Sequence, residues 1–357
     1  MRARHGAAVR AHLETWRPYT LAYPGLLGLA GAACGGGAVT GEGVVAAWLC
    51  PTLGWLGGHY LGDYFDRELD AIGKPQRPIP SGRLSAGTAR ACGVGAVLLA
   101  ALIVLGVNWP VVGFVVLALA GIVAYSRVLK GRGILGNGVR GLLSALAVLF
   151  GAAVTVPPGH LPSWGVLLVA LAFLPHDTAS NLVGTLRDVE GDRAGGYLTL
   201  PVRHGLGHAV RVASALYVLA LAAGTCHLVL AAHPVAAATL LALAAVAGAC
   251  ALVPLLRSAA PTPRAALRAH EVLVGERLVL AAAFTAAGWG ALPALCLLVP
   301  VLAVSLLTQR HMRARHEFPD PVDGDREDAT APPTTPPTTS PASPPRLGTP
   351  RTAQPEG

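Results

Sequence analysis

The chain has 357 residues, of which 53% are hydrophobic and 13% are charged, and its mean hydropathy is +0.54. These values lie outside the range of ordinary soluble domains, so the composition predicts a protein that crosses a membrane several times. We attribute the formal net charge of +8 to basic loops beside the membrane and to attraction by anionic lipid, and we predict no nucleic-acid partner.

Ten apolar runs follow a basic N-terminal segment, residues 1–17. They span residues 18–38, 44–65, 86–107, 109–126, 141–157, 164–186, 208–231, 235–256, 272–288 and 291–308. A helix needs about 20 apolar residues to cross a bilayer, and the runs are continuous rather than alternating, so they predict helices and not strands. Because the last two runs are short, the pattern is compatible with nine or ten transmembrane helices. We expect residues 18–308 to form one membrane domain.

Lys and Arg residues occur in alternate loops of this pattern. They precede the first run and follow the second, fourth, sixth, eighth and tenth, whereas the loops near residues 41, 109, 160, 233 and 290 contain none. Since basic residues concentrate in cytoplasmic loops, we predict a multi-pass protein of the cell membrane with both termini in the cytoplasm. Residues 309–357 are rich in Pro, Thr and Ser and are predicted to form a disordered cytoplasmic tail.

Six aspartates precede the tail, and five of them form two clusters at the cytoplasmic ends of the second and sixth runs. Each cluster belongs to a set of four polar residues spaced i, i+4, i+7 and i+11, which share one helical face. The two sets are His59, Asp63, Asp66 and Asp70, and Asn181, Thr185, Asp188 and Asp192. Carboxylates are costly at a membrane edge unless they are paired or bound to a cation, so the two faces predict a functional site.

Four or more converging carboxylates repel one another unless cations lie between them. Hard oxygen ligands without cysteine favour Mg²⁺, which keeps bound water and usually binds phosphate as well. We therefore expect a polyanionic substrate. Basic residues follow each cluster, and Arg77 and Lys130 are the best candidates to neutralise phosphate oxygens, ahead of Arg187, Arg193 and Arg203.

Two stretches of the sequence resemble the paired aspartate-rich motifs of the UbiA superfamily of intramembrane prenyltransferases. They are DYFDRELDAIGKPQRPIPSGR at 63–83 and RDVEGDRAGGYLTLPVRHG at 187–205. The Arg17-Pro18 pair and YSRVLKGRGILGN at 125–137 also fit, and the resemblance covers residues 10–308. It implies an all-helical fold, usually with nine transmembrane helices around a central cavity.

The resemblance also implies roles for residues around one prenyl diphosphate. The expected metal ligands are Asp66 and Asp70 in the first motif and Asp188 and Asp192 in the second. The family usually has Asn where this chain has Gly62, and we expect Asp63 or His59, on the same face, to compensate. The expected diphosphate-binding residues are Arg17, Arg77, Lys130, Arg187 and Asn181, and the catalytic set comprises Tyr125, Lys130, Asp66, Asp70, Asp188 and Asp192.

The activity that the resemblance implies is electrophilic alkylation. Mg²⁺ and cationic side chains stabilise the charge that develops on the diphosphate, the allylic C–O bond ionises in a dry apolar cavity, and an acceptor attacks the prenyl cation. The residues of the second motif favour an acceptor that is an aromatic quinone precursor or a glycerol-phosphate-type lipid. Membrane lipid is a further expected partner, because the prenyl chain enters from it.

Three alternatives to prenyl transfer were weighed. A membrane terpene cyclase of the same fold shares these motifs, so this alternative stays open until the product is known. A transporter is more distant, because its carboxylates would lie near the bilayer midplane on broken helices. The GRGILG stretch at 131–136 has the form of a dinucleotide-binding loop but lacks the strand that should precede it, and we set that function aside.

Overall fold

The computed structural model describes residues 2–36, 40–157, 160 and 163–317. Fifteen helices account for most of this chain. They are α1 (Arg2–Trp16), α2 (Pro18–Leu21), α3 (Tyr23–Cys34), α4 (Gly41–Gly73), α5 (Ala86–Asn108), α6 (Val112–Ala124), α7 (Ile134–Thr155), α8 (Val166–Thr185), α9 (Val189–Ala194), α10 (Leu200–His204), α11 (Leu206–His227), α12 (Pro234–Arg257), α13 (Pro263–Trp289), α14 (Ala291–Thr308) and α15 (Ala314–Glu317). Short 3₁₀ turns, Trp109–Val111 and Leu228–Leu230, and π-helical turns, Tyr125–Leu129 and Gln309–Arg313, adjoin them.

The prediction of an all-α, multi-pass membrane protein is confirmed. Seven stretches of the described chain are long and apolar enough to cross a membrane: Ala86–Leu129, Ile134–Thr155, Val166–Thr185, Leu206–Leu230, Pro234–Arg257, Pro263–Trp289 and Ala291–Arg313. The first is 44 residues long and contains both α5 and α6. The described parts of the predicted runs 18–38 and 44–65 lie on α2, α3 and α4, outside those seven stretches. The choice between nine and ten spans therefore stays a prediction.

The helical chain continues past the predicted end of the membrane domain at residue 308. The turn Gln309–Arg313 and then α15 follow α14 directly. Arg313 and Glu317 are 2% and 9% exposed. These first residues of the predicted tail therefore pack against the fold, and the rest of that tail lies outside the described residues.

Helix α4 carries the first aspartate cluster in its C-terminal turns. It begins after Thr40, whose side chain accepts a hydrogen bond from the Gly43 amide at 3.1 Å and so caps one of the free amides of the first turn. Its 33 residues extend about 50 Å, more than the hydrocarbon thickness of roughly 30 Å. The helix is therefore long enough to cross the core and still extend its polar C-terminal turns, with Asp66 and Asp70, beyond it.

The largest buried cluster lies where α3, α7, α8 and α13 meet, and it includes Tyr23 and Phe173. Large apolar side chains also cover the outside of the fold: Leu102, Val246 and Val299 are 66%, 64% and 62% exposed. Such a surface is suited to lipid rather than to water.

Glycines let the central helices touch through their backbones. A Cβ atom on Gly151 of α7 would lie 1.9 Å from the carbonyl oxygen of Gly28 on α3. A Cβ atom on Gly28 would lie 1.9 Å from the carbonyl oxygen of Ala47 on α4. Heavy atoms do not pack at such distances, so only glycine fits either position. Small residues at interfaces are how membrane helices approach closely in a solvent as apolar as their own side chains.

A short parallel pairing joins the loops that follow α6 and α9. Strand β1 (Arg132–Gly133) pairs with β2 (Leu198–Thr199), with Arg132 opposite Leu198. The pairing holds the loop that carries Lys130 next to the segment that follows the second aspartate cluster. Residues far apart in the sequence thus meet at one end of the fold.

Candidate active site

One cavity, with a volume of about 430 Å³, lies where the C-terminal ends of α4 and α8 meet α9. All eleven residues predicted for the site line its wall: Arg17, Asp63, Asp66, Asp70, Arg77, Tyr125, Lys130, Asn181, Arg187, Asp188 and Asp192. The weaker candidates Arg193 and Arg203 are exposed and lie outside this wall. The fold thus brings both motifs and the loop between them to one place.

Two aspartates of α4 are paired with cations from loops. Lys130 Nζ donates a hydrogen bond to Asp66 Oδ2 at 2.6 Å, and Arg77 Nη1 lies 2.9 Å from both oxygens of Asp70. Burial alone would lower the pKa of Lys130, but the Asp66 carboxylate raises it above its ordinary value. Burial would likewise lower the pKa of Arg77, but the Asp70 carboxylate raises it above its ordinary value. Both cations therefore stay charged beside the cavity.

Asp63 pairs with Arg17, the last residue of the N-terminal segment, whose Nη2 donates to Asp63 Oδ1 at 2.5 Å. His59, on the same face of α4, is held by the backbone, since its Nδ1 lies 3.0 Å from the carbonyl oxygen of Trp16. A Cβ atom on Gly62 would meet no atom within 4 Å, so the position of the family's Asn is open space. Of the two residues expected to compensate for Gly62, Asp63 is the one that adds a carboxylate.

Asp188 immediately precedes α9, and Asp192 lies within it. Lys74 Nζ and the neighbouring Arg187 Nε lie 3.0 Å and 3.3 Å from Asp188 Oδ1. Burial would raise the pKa of Asp188, but Arg187 and Lys74 hold it below its ordinary value. Asp192 accepts a hydrogen bond from Thr199 Oγ1 at 3.2 Å, and burial, with Asp188 nearby, raises its pKa to about 6. Asp188 is therefore the more firmly ionised of the two.

The oxygen atoms of this wall suit a hard divalent cation. In the described part of the chain, Asp63 Oδ2 and Asp66 Oδ1 are buried oxygens without a hydrogen-bond partner. No three His, Cys, Asp or Glu side chains among the described residues form a ready-made metal cage. Mg²⁺ fits such a wall, because it keeps several waters and is usually held by one or two carboxylates together with substrate phosphates.

Glu317, at the end of α15, contacts the basic side of the same cavity. Its Oε2 lies 2.9 Å from Lys74 Nζ and 3.4 Å from Arg77 Nη2, and its Oε1 lies 3.2 Å from Arg187 Nη2. Burial would raise the pKa of Glu317, but Arg187, Lys74 and Arg77 hold it well below its ordinary value. This residue belongs to the predicted tail, and nothing in the sequence pattern indicated the contact.

Two arginines on the cavity wall, Arg140 of α7 and Arg277 of α13, were also not singled out from the sequence. Arg140 Cζ lies 4.2 Å from the centroid of the Trp55 ring, and Arg277 Cζ lies 4.1 Å from the centroid of the Tyr23 ring. Ionisable residues within apolar helices are functional candidates by default. That rule, applied to single residues rather than to clusters, would have found Arg277, which lies inside the run 272–288, whereas Arg140 precedes the run 141–157 and belongs to the basic loop in the sequence pattern.

A buried polar network surrounds Asp177 on α8. The Tyr23 hydroxyl donates to Asp177 Oδ2 at 2.9 Å, and the Ser144 hydroxyl donates to the same oxygen. His176 Nδ1 lies 3.1 Å from Asp177 Oδ1, and its Nε2 lies 2.6 Å from Glu276 Oε2. These bonds tie α3, α7, α8 and α13 together, and they satisfy polar groups that the apolar surroundings would otherwise destabilise.

An apolar cavity of about 90 Å³ adjoins the polar one. Residues that line both are Trp55, Gly58, Ile122, Arg140 and Leu143. Among the described residues, Arg140 is the only charged residue on the wall of this second cavity. The two cavities together are charged at one end and apolar at the other.

A model of the UbiA prenyltransferase family matches residues 21–274 of this chain. The digeranylgeranylglyceryl phosphate synthase of Methanopyrus kandleri is 39% identical over 219 residues, which cover 60% of this chain and 76% of that protein. The digeranylgeranylglyceryl phosphate synthase of Halobacterium salinarum is 38% identical over 223 residues, which cover 60% of this chain and 76% of that protein.

Solved structures share the fold. A structure of a digeranylgeranylglyceryl phosphate synthase superposes with a TM-score of 0.60 at 21% identity, covering 79% of this chain and 98% of that one. A UbiA homologue from Archaeoglobus fulgidus, bound to DMAPP and Mg²⁺, superposes with a TM-score of 0.52 at 14% identity, covering 84% of this chain and 99% of that one. The family match ends at residue 274, so α14 and Glu317 lie beyond it.

Proposed function

The chain belongs to the UbiA prenyltransferase family, and we therefore propose that it transfers a prenyl group from a prenyl diphosphate to the hydroxyl group of a glycerol-phosphate lipid. The reaction class follows from the family. The acceptor class is suggested by the relatives at 39% and 38% identity, which are both named digeranylgeranylglyceryl phosphate synthase.

The observation that carries this proposal is the division of charge around the two cavities. Aspartates from both motifs and the cations Arg77, Lys130 and Arg187 surround the polar cavity, which adjoins the apolar one. A prenyl diphosphate has the same division, with a polyanionic head and an apolar chain. The polar cavity suits the head group, and the apolar cavity suits the first part of the chain.

The cations are proposed to bind the diphosphate and to stabilise the charge that grows on it as the bond between prenyl C1 and oxygen breaks. Arg77, Lys130 and Arg187 are already held in place by carboxylates, so they need little reorganisation during the reaction. Each guanidinium offers paired donors to phosphate oxygens. Tyr125 and Asn181 complete the polar wall.

The aspartates are proposed to hold Mg²⁺ beside the diphosphate. The ligands would be Asp63, Asp66 and Asp70 on one side and Asp188 and Asp192 on the other. When bound, Mg²⁺ neutralises phosphate oxygens and so favours departure of the diphosphate. The chain itself supplies carboxylates on both sides of the head group, and the unpaired oxygens of Asp63 and Asp66 are the first positions available for the ion.

The acceptor completes the reaction without any further reagent. Its hydroxyl oxygen bonds to prenyl C1, and its proton passes to the released diphosphate, so the products are an ether lipid and diphosphate. The packed apolar helices exclude water, which would otherwise capture the prenyl cation as an alcohol.

Product analysis tests the proposal directly. Purified protein in nanodiscs would receive Mg²⁺, prenyl diphosphates from five carbons upward, and either a glycerol-phosphate lipid or an aromatic quinone precursor, followed by mass spectrometry. We expect an ether of the glycerol-phosphate lipid. A prenylated aromatic product would replace the proposed acceptor, and a terpene formed from the donor alone would show a cyclase instead.

We also propose that both termini face the cytoplasm. Five basic residues of the cavity wall come from the N-terminal segment and from loops predicted to be cytoplasmic: Arg17, Lys74, Arg77, Lys130 and Arg187. Glu317 contacts three of them there. Tags at the N-terminus and after residue 317 should both resist protease added to intact cells and should both be cleaved once the cells are permeabilised. A C-terminal tag accessible from outside would require an odd number of spans.

Glu317→Gln is expected to tighten binding of the prenyl diphosphate by on the order of tenfold, or about 1.4 kcal/mol. The Glu317 carboxylate contacts Lys74, Arg77 and Arg187, and the substrate must displace it to reach those cations. The Kd of an unreactive prenyl thiolodiphosphate measures the effect. Glu42→Gln is the matched control, because Glu42 is exposed and lies in the first turn of α4, at the other end of that helix from the aspartates. An unchanged or weaker affinity in Glu317→Gln would show that the carboxylate does not compete with substrate.

A further inference from the structure

Arg140 and Arg277 form a second group of cations on the wall of the polar cavity. Arg140 also lines the apolar cavity, so it lies where the two cavities meet. Arg277 extends from α13 and stacks on Tyr23, the first residue of α3. Both lie on long helices in the structure, Arg140 on α7 and Arg277 on α13. Arg277 lies inside an apolar run, so the topology of the protein does not account for its charge.

Neither guanidinium lies within 4.0 Å of a carboxylate in the described part of the chain. Arg277 is 6% exposed, and its Nε is a buried donor without a hydrogen-bond partner in the same part of the chain. Asp177 lines the cavity too, but it already accepts hydrogen bonds from Tyr23 and Ser144. By contrast, the loop cation Lys130 has an ion-pair partner of its own.

Two unpaired cations are costly in such a cavity for two reasons. Burial removes the hydration of Arg277 and part of that of Arg140, which is half-buried, and their charge opposes the positive charge that develops on prenyl C1 when the donor ionises. A bound anion would remove both penalties. The diphosphate head is already matched by the loop cations and the aspartate motifs, so the second anion must come from the other substrate.

We propose that Arg140 and Arg277 bind the anionic group of the acceptor. Its identity as a phosphate rests on the proposed function, because the acceptor there is a glycerol-phosphate lipid. Stacking on Trp55 and Tyr23 fixes each guanidinium plane and leaves its edge to donate to oxygen atoms. The acceptor's apolar chains then lie among apolar helices. An aromatic carboxylate offers the same oxygen chemistry to the same two side chains.

The test compares Arg140→Gln and Arg277→Gln with wild-type protein in steady-state assays that vary one substrate at a time. We expect the acceptor KM to rise at least about tenfold in each variant, because each loses a charge-assisted hydrogen bond, while the donor KM changes by less than about twofold. Arg127→Gln is the matched control: its guanidinium also stacks on an aromatic ring, 4.9 Å from the centroid of Phe65, but it is exposed and lies outside the cavity.

A second measurement guards against loss of folding. Binding of the unreactive prenyl thiolodiphosphate should be normal in both variants, and Arg140→Lys and Arg277→Lys should recover part of the acceptor affinity. If wild-type protein uses the glycerol-phosphate lipid and both Gln variants keep its acceptor KM, the assignment of the arginines is overturned. If wild-type protein uses only an aromatic carboxylate, the proposed function fails, and a raised KM for that carboxylate in the Gln variants would still support the arginine site.

Discussion

Asp66→Ala and Asp188→Ala should each lower turnover by on the order of 10³-fold or more, because each removes a carboxylate from one side of the diphosphate site. Asp66 Oδ1 is a buried oxygen without a protein partner in the described chain, and Asp188 is the more firmly ionised aspartate of its cluster. The measurement is the rate of ether-lipid formation with donor and acceptor both saturating.

The double variant separates a joint site from two independent ones. If both carboxylates act on one head group, Asp66→Ala with Asp188→Ala should fall little below either single variant. Glu68→Ala is the matched control, since it removes a carboxylate from the same helix at a side chain that is 85% exposed. Multiplicative losses, or turnover within about tenfold of wild type in either single variant, would contradict a shared role.

Lys130→Gln should lower kcat/KM for the prenyl diphosphate by on the order of 10²-fold. Gln keeps a hydrogen-bond donor near Asp66 but removes the charge that the leaving group needs. Arg132→Gln controls for loss of charge from the same loop, because Arg132 is exposed on β1 and lies outside the cavity. The effect is measured by varying the donor at saturating acceptor. A loss of similar size in both variants would show a general electrostatic effect of the loop instead.

The first aspartate face was predictable because it depends only on local helical geometry. The prediction of a second continuous face was wrong: α8 ends at Thr185 and Asp188 precedes the separate helix α9, so Asn181 and Thr185 lie on a different helix from Asp192. Asp66 and Asp70 lie on α4 near its end, as the spacing of the first cluster requires. That both clusters belong at one end of the fold followed from the alternation of basic loops. The two clusters could then be expected to lie close together without any knowledge of how α4 packs against α8.

The loop contributions depended on structure that the sequence does not display. Lys130 reaches Asp66 from the residue after a π-helical turn, Tyr125–Leu129, and the two-residue pairing of β1 with β2 holds that loop in place. Strands of two residues have no recognisable periodicity. Lys130 was singled out by charge and by resemblance, and only the fold explains its position.

The C-terminal contact was missed for a different reason. Glu317 directly precedes a Pro/Thr/Ser-rich segment, so its composition suggested a tail, whereas its partners Lys74, Arg77 and Arg187 lie far away in the chain. Asp177 is the one aspartate before the tail that lies outside both clusters, so the sequence pattern assigned it no role in the site. The structure places it in a network with Tyr23, Ser144 and His176, where its replacement affects helix packing as well as chemistry.

The central claim is that two aspartate-bearing helix ends and their cations form one Mg²⁺-dependent diphosphate site. Calorimetric binding of an unreactive prenyl thiolodiphosphate tests it most directly, with wild-type protein in Mg²⁺ or in EDTA and with Asp66→Ala and Asp188→Ala in Mg²⁺. We predict tight binding only for wild-type protein in Mg²⁺, and recovery when Mg²⁺ replaces EDTA. Equal affinity in EDTA, or wild-type affinity in both alanine variants, would contradict the claim.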